Sequence, residues 1–84
     1  MDTQIVIRIS SLYSRRSSAK LLDLNEYVAQ AIKIAGEGND VVLTGQGPIW
    51  LYLKIAHALH GKVRKLIYRS PVAGDVVIFD HSPE

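Results

Sequence analysis

Cysteine is absent from this 84-residue chain, which excludes a disulfide scaffold, a thiolate zinc site and a cysteine nucleophile. Long apolar runs are absent too. The longest, Ile49-Trp50-Leu51-Tyr52-Leu53, falls far short of the roughly 20 residues a membrane span requires. Met1-Asp2-Thr3-Gln4 offers no basic region ahead of an apolar stretch, so a secretion signal is not expected and the reading is cytoplasmic. Neither an internal repeat nor a low-complexity linker interrupts the chain. No Gly-x-Ser-x-Gly elbow exists to anchor a hydrolase triad.

What is present fits one small globular domain over residues 1–84: 48% hydrophobic residues, 21% charged and a net charge of +2. At this size folding hides only about 60–65% of the chain's surface, so a shared subunit interface would help stability. The charge is uneven. Arg8, Arg15, Arg16 and Lys20 form one basic stretch without acids, and Lys54, Lys62, Arg64, Lys65 and Arg69 form a second. Two such stretches suit an anionic ligand, although a solvated surface of lysine and arginine explains them as well.

Periodicity predicts a strand over Gln4–Ser10, a polar loop over Ser11–Ser18 and a helix over Leu24–Ala35 stopped by Gly36 and Gly38. A buried strand follows at Asp40–Thr44 and a helix from Pro48, at its first position, to about His60, with Gly61 as a left-handed cap. Lys65–Arg69 and Gly74–Asp80 read as a hairpin. The order β-α-β-α-β-β gives an α/β (α+β) fold. Two right-handed crossovers make a mixed sheet of about four strands, with helices over one or both faces. The helix from Pro48 is apolar almost all round, which suits packing on its own sheet and on a neighbour.

The strongest local motif is strand, Gly45-Gln46-Gly47-Pro48, then helix. Backbone N–H groups of such a turn can approach an anion, and the helix start adds positive potential. It lacks the Gly-Lys-Ser/Thr end of a Walker loop and the third glycine of a dinucleotide fingerprint. Taken alone it is equally a simple turn. His57-x-x-His60 places two imidazoles on one helix face, able to bind a metal or to divide acid and base work. Packing at the helix end is the plainer reading, above all for His57. His81 beside Asp80 is no dyad, because adjacent strand residues point to opposite faces. Trp50 and Tyr52 belong to core packing more readily than to base stacking.

Val41-Val42-Leu43-Thr44-Gly45-Gln46-Gly47-Pro48-Ile49-Trp50-Leu51, then Ala56-His57-x-x-His60, a strand ending in Tyr68, Gly74-x-Val76-Val77 and His81 together resemble a CRISPR-associated family. These are short accessory proteins of type III systems, described as manganese-dependent RNA deadenylation nucleases and as ring nucleases. The resemblance covers about residues 40 to 81. It implies a ferredoxin-like fold, a homodimer that grows when ligand binds, and cleavage of cyclic tetra-adenylate held between dimers.

Carried over, Thr44 keeps the hydroxyl of the family's serine, and Gln46 replaces its arginine. His57, His60 and His81 fall on its histidines. The family's Tyr-Asp-Pro-Arg reads Tyr68-Arg69-Ser70-Pro71-Val72 here, so with one inserted residue Ser70 takes the aspartate's place. The resulting expectation is catalysis by His60 and His81, with His57 in support. Ring binding falls to Thr44, Gly45, Gln46, Gly47, Arg69 and Ser70. The metal ligands stay unknown. The reaction as read requires no cofactor, and Mn²⁺ enters through the resemblance alone. RNA ending in adenosines is a second substrate to consider. The rival function is a sensor or RNA-binding regulatory module that binds without cutting.

Overall fold

A computed structural model describes residues 4–13 and 19–82. Its elements are β1 (Gln4–Arg8), α1 (Leu24–Ala35), β2 (Asp40–Thr44), α2 (Ile49–Leu59), β3 (Lys65–Ser70) and β4 (Gly74–Asp80). The sheet order is β1-β2-β3-β4, parallel from β1 to β3 and antiparallel between β3 and β4. This is the four-stranded mixed sheet with two helices expected from the sequence. The helices contact each other and share one core with the sheet, so both cover the same face.

Alternation decides which side chains enter that core. Ile7, Val41, Leu43 and Leu66 meet Tyr27, Ala31 and Ala35 of α1 and Leu51, Ile55 and Leu59 of α2. The alternate residues Val6, Val42, Ile67 and Val77, in register with one another, form an apolar row on the other face. Trp50 and Tyr52 pack against the core, as their place on α2 suggested. Not every side of α2 finds a partner: Ile49 and Leu53 remain 77% and 65% exposed beside an apolar groove lined by Tyr52, Tyr68 and Ile78.

Three local expectations are corrected. The first strand ends at Arg8 and not Ser10, because Ile9–Tyr13 turn into a 3-10 helix whose Ser11 Oγ donates to the Arg8 carbonyl at 2.7 Å. The expected loop therefore begins as ordered structure, and its Ser14–Ser18 portion lies outside the described residues. Pro48 is the N-cap of α2, one residue ahead of the first helical position, and its carbonyl accepts from the Leu51 and Tyr52 N–H groups. Gly61, at φ +91°, does supply the left-handed exit after α2.

Topology fixes what can meet. Because β1, β2 and β3 run parallel, Arg8, Thr44 and Ser70 end at one edge of the sheet, where α2 begins. The far end of α2 and the end of antiparallel β4 deliver His60 and His81 to the opposite edge. Eleven helical residues separate the two edges by about 16 Å.

Candidate functional site

At the lower edge His60 is the C-cap of α2, with extended backbone (φ −63°, ψ 125°) that carries its side chain out of the helix. His81, one residue past β4, donates its N–H to the Arg64 carbonyl at 2.7 Å. The two imidazoles meet: Nε2 of His60 lies 3.0 Å from Nε2 of His81. A contact of that length needs one ring to donate and the other to accept, so the pair presents one proton and one lone pair. Phe79 backs both rings, with centroids 4.9 Å from His60 and 5.0 Å from His81. Both histidines are exposed to solvent.

His57 departs from the reading that placed it in the core. It is exposed, one turn back along α2, and its backbone carbonyl accepts from the His60 N–H at 3.3 Å. Asp80 is likewise no partner for His81. Its Oδ1 accepts from the Ser82 N–H and hydroxyl, and those bonds hold its carboxyl below the usual range.

The upper edge carries Thr44, Gly45, Gln46 and Gly47. Two tyrosines grip this turn from inside. The Tyr13 hydroxyl donates to the Gln46 carbonyl at 2.9 Å, and the Tyr52 hydroxyl donates to the Gly45 carbonyl. In a trans peptide the N–H points opposite to the C=O. The Gln46 and Gly47 N–H groups are therefore turned away from the tyrosines, and among the described residues neither has an acceptor. Burial, with Tyr68 and Tyr13 nearby, pushes the Tyr52 phenol up to about 12, so it remains a donor near neutrality. Two adjacent outward N–H groups ahead of a helix start make a concavity suited to an anion.

Arg69 and Ser70 share this edge but are already engaged. The Arg69 guanidinium forks onto Asp75 across the hairpin, Nε to Oδ1 at 2.8 Å and Nη2 to Oδ2 at 3.2 Å. That pairing neutralises the charge expected to serve a phosphate. Ser70 Oγ accepts from the Val72 and Ala73 N–H groups at 3.1 and 3.0 Å, which shapes the β3–β4 turn. The Thr44 hydroxyl donates to the Arg69 carbonyl at 3.3 Å.

Thus the structure brings His60 to His81 and gathers the six binding candidates at the other end, but it does not join the two groups within one copy. Sequence reasoning missed the tyrosine grip on the turn, because Tyr13 and Gln46 are 33 residues apart with no shared motif. It also missed the Asp40–Arg64 ion pair beside His81. A charged residue opening an otherwise apolar buried strand was the available signal.

For a metal, the Nε2 separation suits two adjacent ligand positions on a divalent ion. However, no group of three or more His, Cys, Asp or Glu side chains converges among the described residues. Two nitrogens without a carboxylate fall short of a resident manganese site. No helix among the described residues is long and apolar enough to cross a membrane.

No curated protein and no solved structure matches the chain. A family model described as CRISPR-associated protein (Cas_csx3) matches residues 21–84, which include the turn, α2 and all three histidines. The chain belongs to the Cas_csx3 family of CRISPR-associated proteins.

Proposed function

We propose that this protein binds cyclic tetra-adenylate and opens the ring by phosphodiester cleavage. The observation that carries the reading is the His60–His81 contact at 3.0 Å, one donor and one acceptor on the same exposed edge. In the reaction a ribose 2′-hydroxyl attacks its own 3′-phosphorus in line, and the P–O5′ bond breaks. One imidazole takes the 2′-proton and the other gives a proton to the leaving O5′. The products are a 2′,3′-cyclic phosphate and a free 5′-hydroxyl, with no water consumed. On binding, the histidine–histidine bond is exchanged for one bond from each ring to the ribose-phosphate. No step requires a metal.

The Gln46 and Gly47 N–H groups and the start of α2 receive a phosphate of the ring. These groups stand about 16 Å from the histidines of the same copy. The ring is therefore clasped between copies, the turn of one facing the histidines of another. The functional unit is a homodimer that stacks further when ligand binds.

Incubation of the pure protein with cyclic tetra-adenylate, with and without Mn²⁺, tests this by chromatography of the products. Linear species ending in a cyclic phosphate are expected. A ring left intact at excess protein would overturn the nuclease reading, and an RNA ending in adenosines in parallel reads out the second substrate. One observation favours the non-cleaving sensor: Ser70 stands where the family has aspartate, and its hydroxyl is committed to the turn.

Gln46 gives a direct test of the phosphate turn, since it is exposed and its side chain can change without touching the core. Gln46→Glu is expected to weaken ring binding by about tenfold or more, through a carboxylate beside a phosphate. Gln46→Arg is expected to tighten it by about tenfold, and more at low salt. Calorimetric titrations at two salt concentrations check both. Equal affinities for all three proteins would remove the turn from the binding site.

A further inference from the structure

We infer that Asp40 and Arg64 are positioning residues for the His60–His81 pair. His81 lies beyond the last strand, and its N–H donates to the Arg64 carbonyl at 2.7 Å. Its register is therefore set by where Arg64 sits.

Arg64 lies in the connection between α2 and β3, and both its N–H and its guanidinium hold it in place. Its N–H donates to the Asn39 carbonyl at 2.9 Å. Its guanidinium forks onto both oxygens of Asp40, Nε to Oδ1 and Nη2 to Oδ2, each at 2.8 Å. Asn39 is tied in turn to the end of α1, with Nδ2 donating to the Ala35 carbonyl at 2.8 Å.

Asp40 opens the central strand β2 between β1 and β3 and is itself buried. The fork thus transmits the position of an interior strand, through one guanidinium and one carbonyl, to His81. His60 is set independently by the last turn of α2. The 3.0 Å contact between the rings needs both frames to agree, and a shift of about 1 Å in one of them breaks it. A bidentate fork defines an orientation that a single ammonium cannot reproduce. Phe79 alone does not replace the fork, because a ring contact leaves His81 free to slide along it.

Catalytic relevance rests on the nuclease reading above, whereas the positioning itself does not, so the test has two arms. Nitrogen-15 correlation spectra of the histidine side chains report tautomers directly. In the wild type, His60 and His81 are expected to be locked as one Nε2–H and one Nδ1–H ring. Arg64→Lys and Asp40→Asn, each confirmed folded by Trp50 fluorescence, are expected to return His81 to the mixed tautomers of a free imidazole. Should Asp40→Asn unfold, Arg64→Lys carries the test alone.

In the second arm, both variants are expected to lower the single-turnover rate by about tenfold to a hundredfold with ring affinity unchanged. Adding Asp40→Asn to His81→Ala is expected to cost nothing further. Histidine spectra unchanged in folded Arg64→Lys would overturn the inference whether or not the wild type cleaves. A wild type that shows locked tautomers but leaves the ring intact would instead overturn the nuclease reading and leave the positioning role standing.

Discussion

Replacing His60 with alanine is expected to slow ring opening in single turnover by about a hundredfold or more and to leave ring affinity within about twofold. The separation follows from where the groups sit. His60 and His81 hold the proton and the lone pair at one end of the sheet, while the outward N–H groups of Gln46 and Gly47, the proposed phosphate site, lie at the other. A group that moves protons in the transition state contributes to rate, and one that meets the ground-state phosphate contributes to affinity. His81→Ala is expected to slow the reaction comparably, and the double variant to be slower than either, since each imidazole moves a different proton in the reaction. His57→Ala is the control. Its side chain is exposed and makes no hydrogen bond to the pair, so a rate near wild type is expected. If His57→Ala were as slow as His60→Ala, the assignment of the pair would be wrong.

Gly47→Ala is expected to have the largest effect on both stability and binding among changes to the turn. A Cβ at Gly47 would stand 2.5 Å from Ile9 Cγ2 and 3.5 Å from the Tyr13 hydroxyl. Ile9 is fully buried, and a β-branched side chain has little rotamer freedom with which to retreat. Relief must come from the turn, which moves off the Tyr13 hydroxyl and loses the orientation of its N–H groups. Overpacking of this kind costs about 1–3 kcal/mol. In a domain this small each kcal/mol lowers the thermal midpoint by about 4–8 °C. Ring affinity is expected to fall at least as far as in Gln46→Glu. Thermal melts and titrations on the same sample check this. A variant that melts at the wild-type temperature and binds the ring normally would show that the turn is neither tightly packed nor part of the site.

The elements were legible because each is spelled by a strong local signal. Tyr27, Ala31 and Ala35 at helical spacing place α1, and the run Val41-Val42-Leu43 places a strand buried on both faces. The boundary of β1 was not legible, because Ile9 continues the alternating pattern while the Ser11 hydroxyl captures the Arg8 carbonyl and turns the chain. The site was half legible. His60 and His81 carry a recognisable motif, but their contact depends on antiparallel β4 ending beside the C-cap of α2, which no spacing of residues encodes.

The Arg69 pairing was hidden for a related reason. On its own strand it is a free cation, and only the register Arg69–Asp75 reveals the carboxylate opposite it. The partner of Asp40 was hidden as well, since the fork from Arg64 reaches 24 residues along the chain. Pairings fixed by tertiary register, and not by composition, are the ones the linear pattern concealed.

The account holds that the histidines of one copy act on a ring held by the turn of another. Mixing two defective proteins tests this most directly. His60→Ala keeps the turn and lacks the proton-transfer pair, whereas Gln46→Glu keeps the pair and holds the ring poorly. Each alone, at a ring concentration below the weakened Kd, is expected to cleave at a small fraction of the wild-type rate. Their equimolar mixture is expected to cleave well above the sum of the two, because some junctions combine an intact turn with an intact pair. A mixture no faster than that sum, under conditions where the wild type opens the ring, would contradict a site shared between copies.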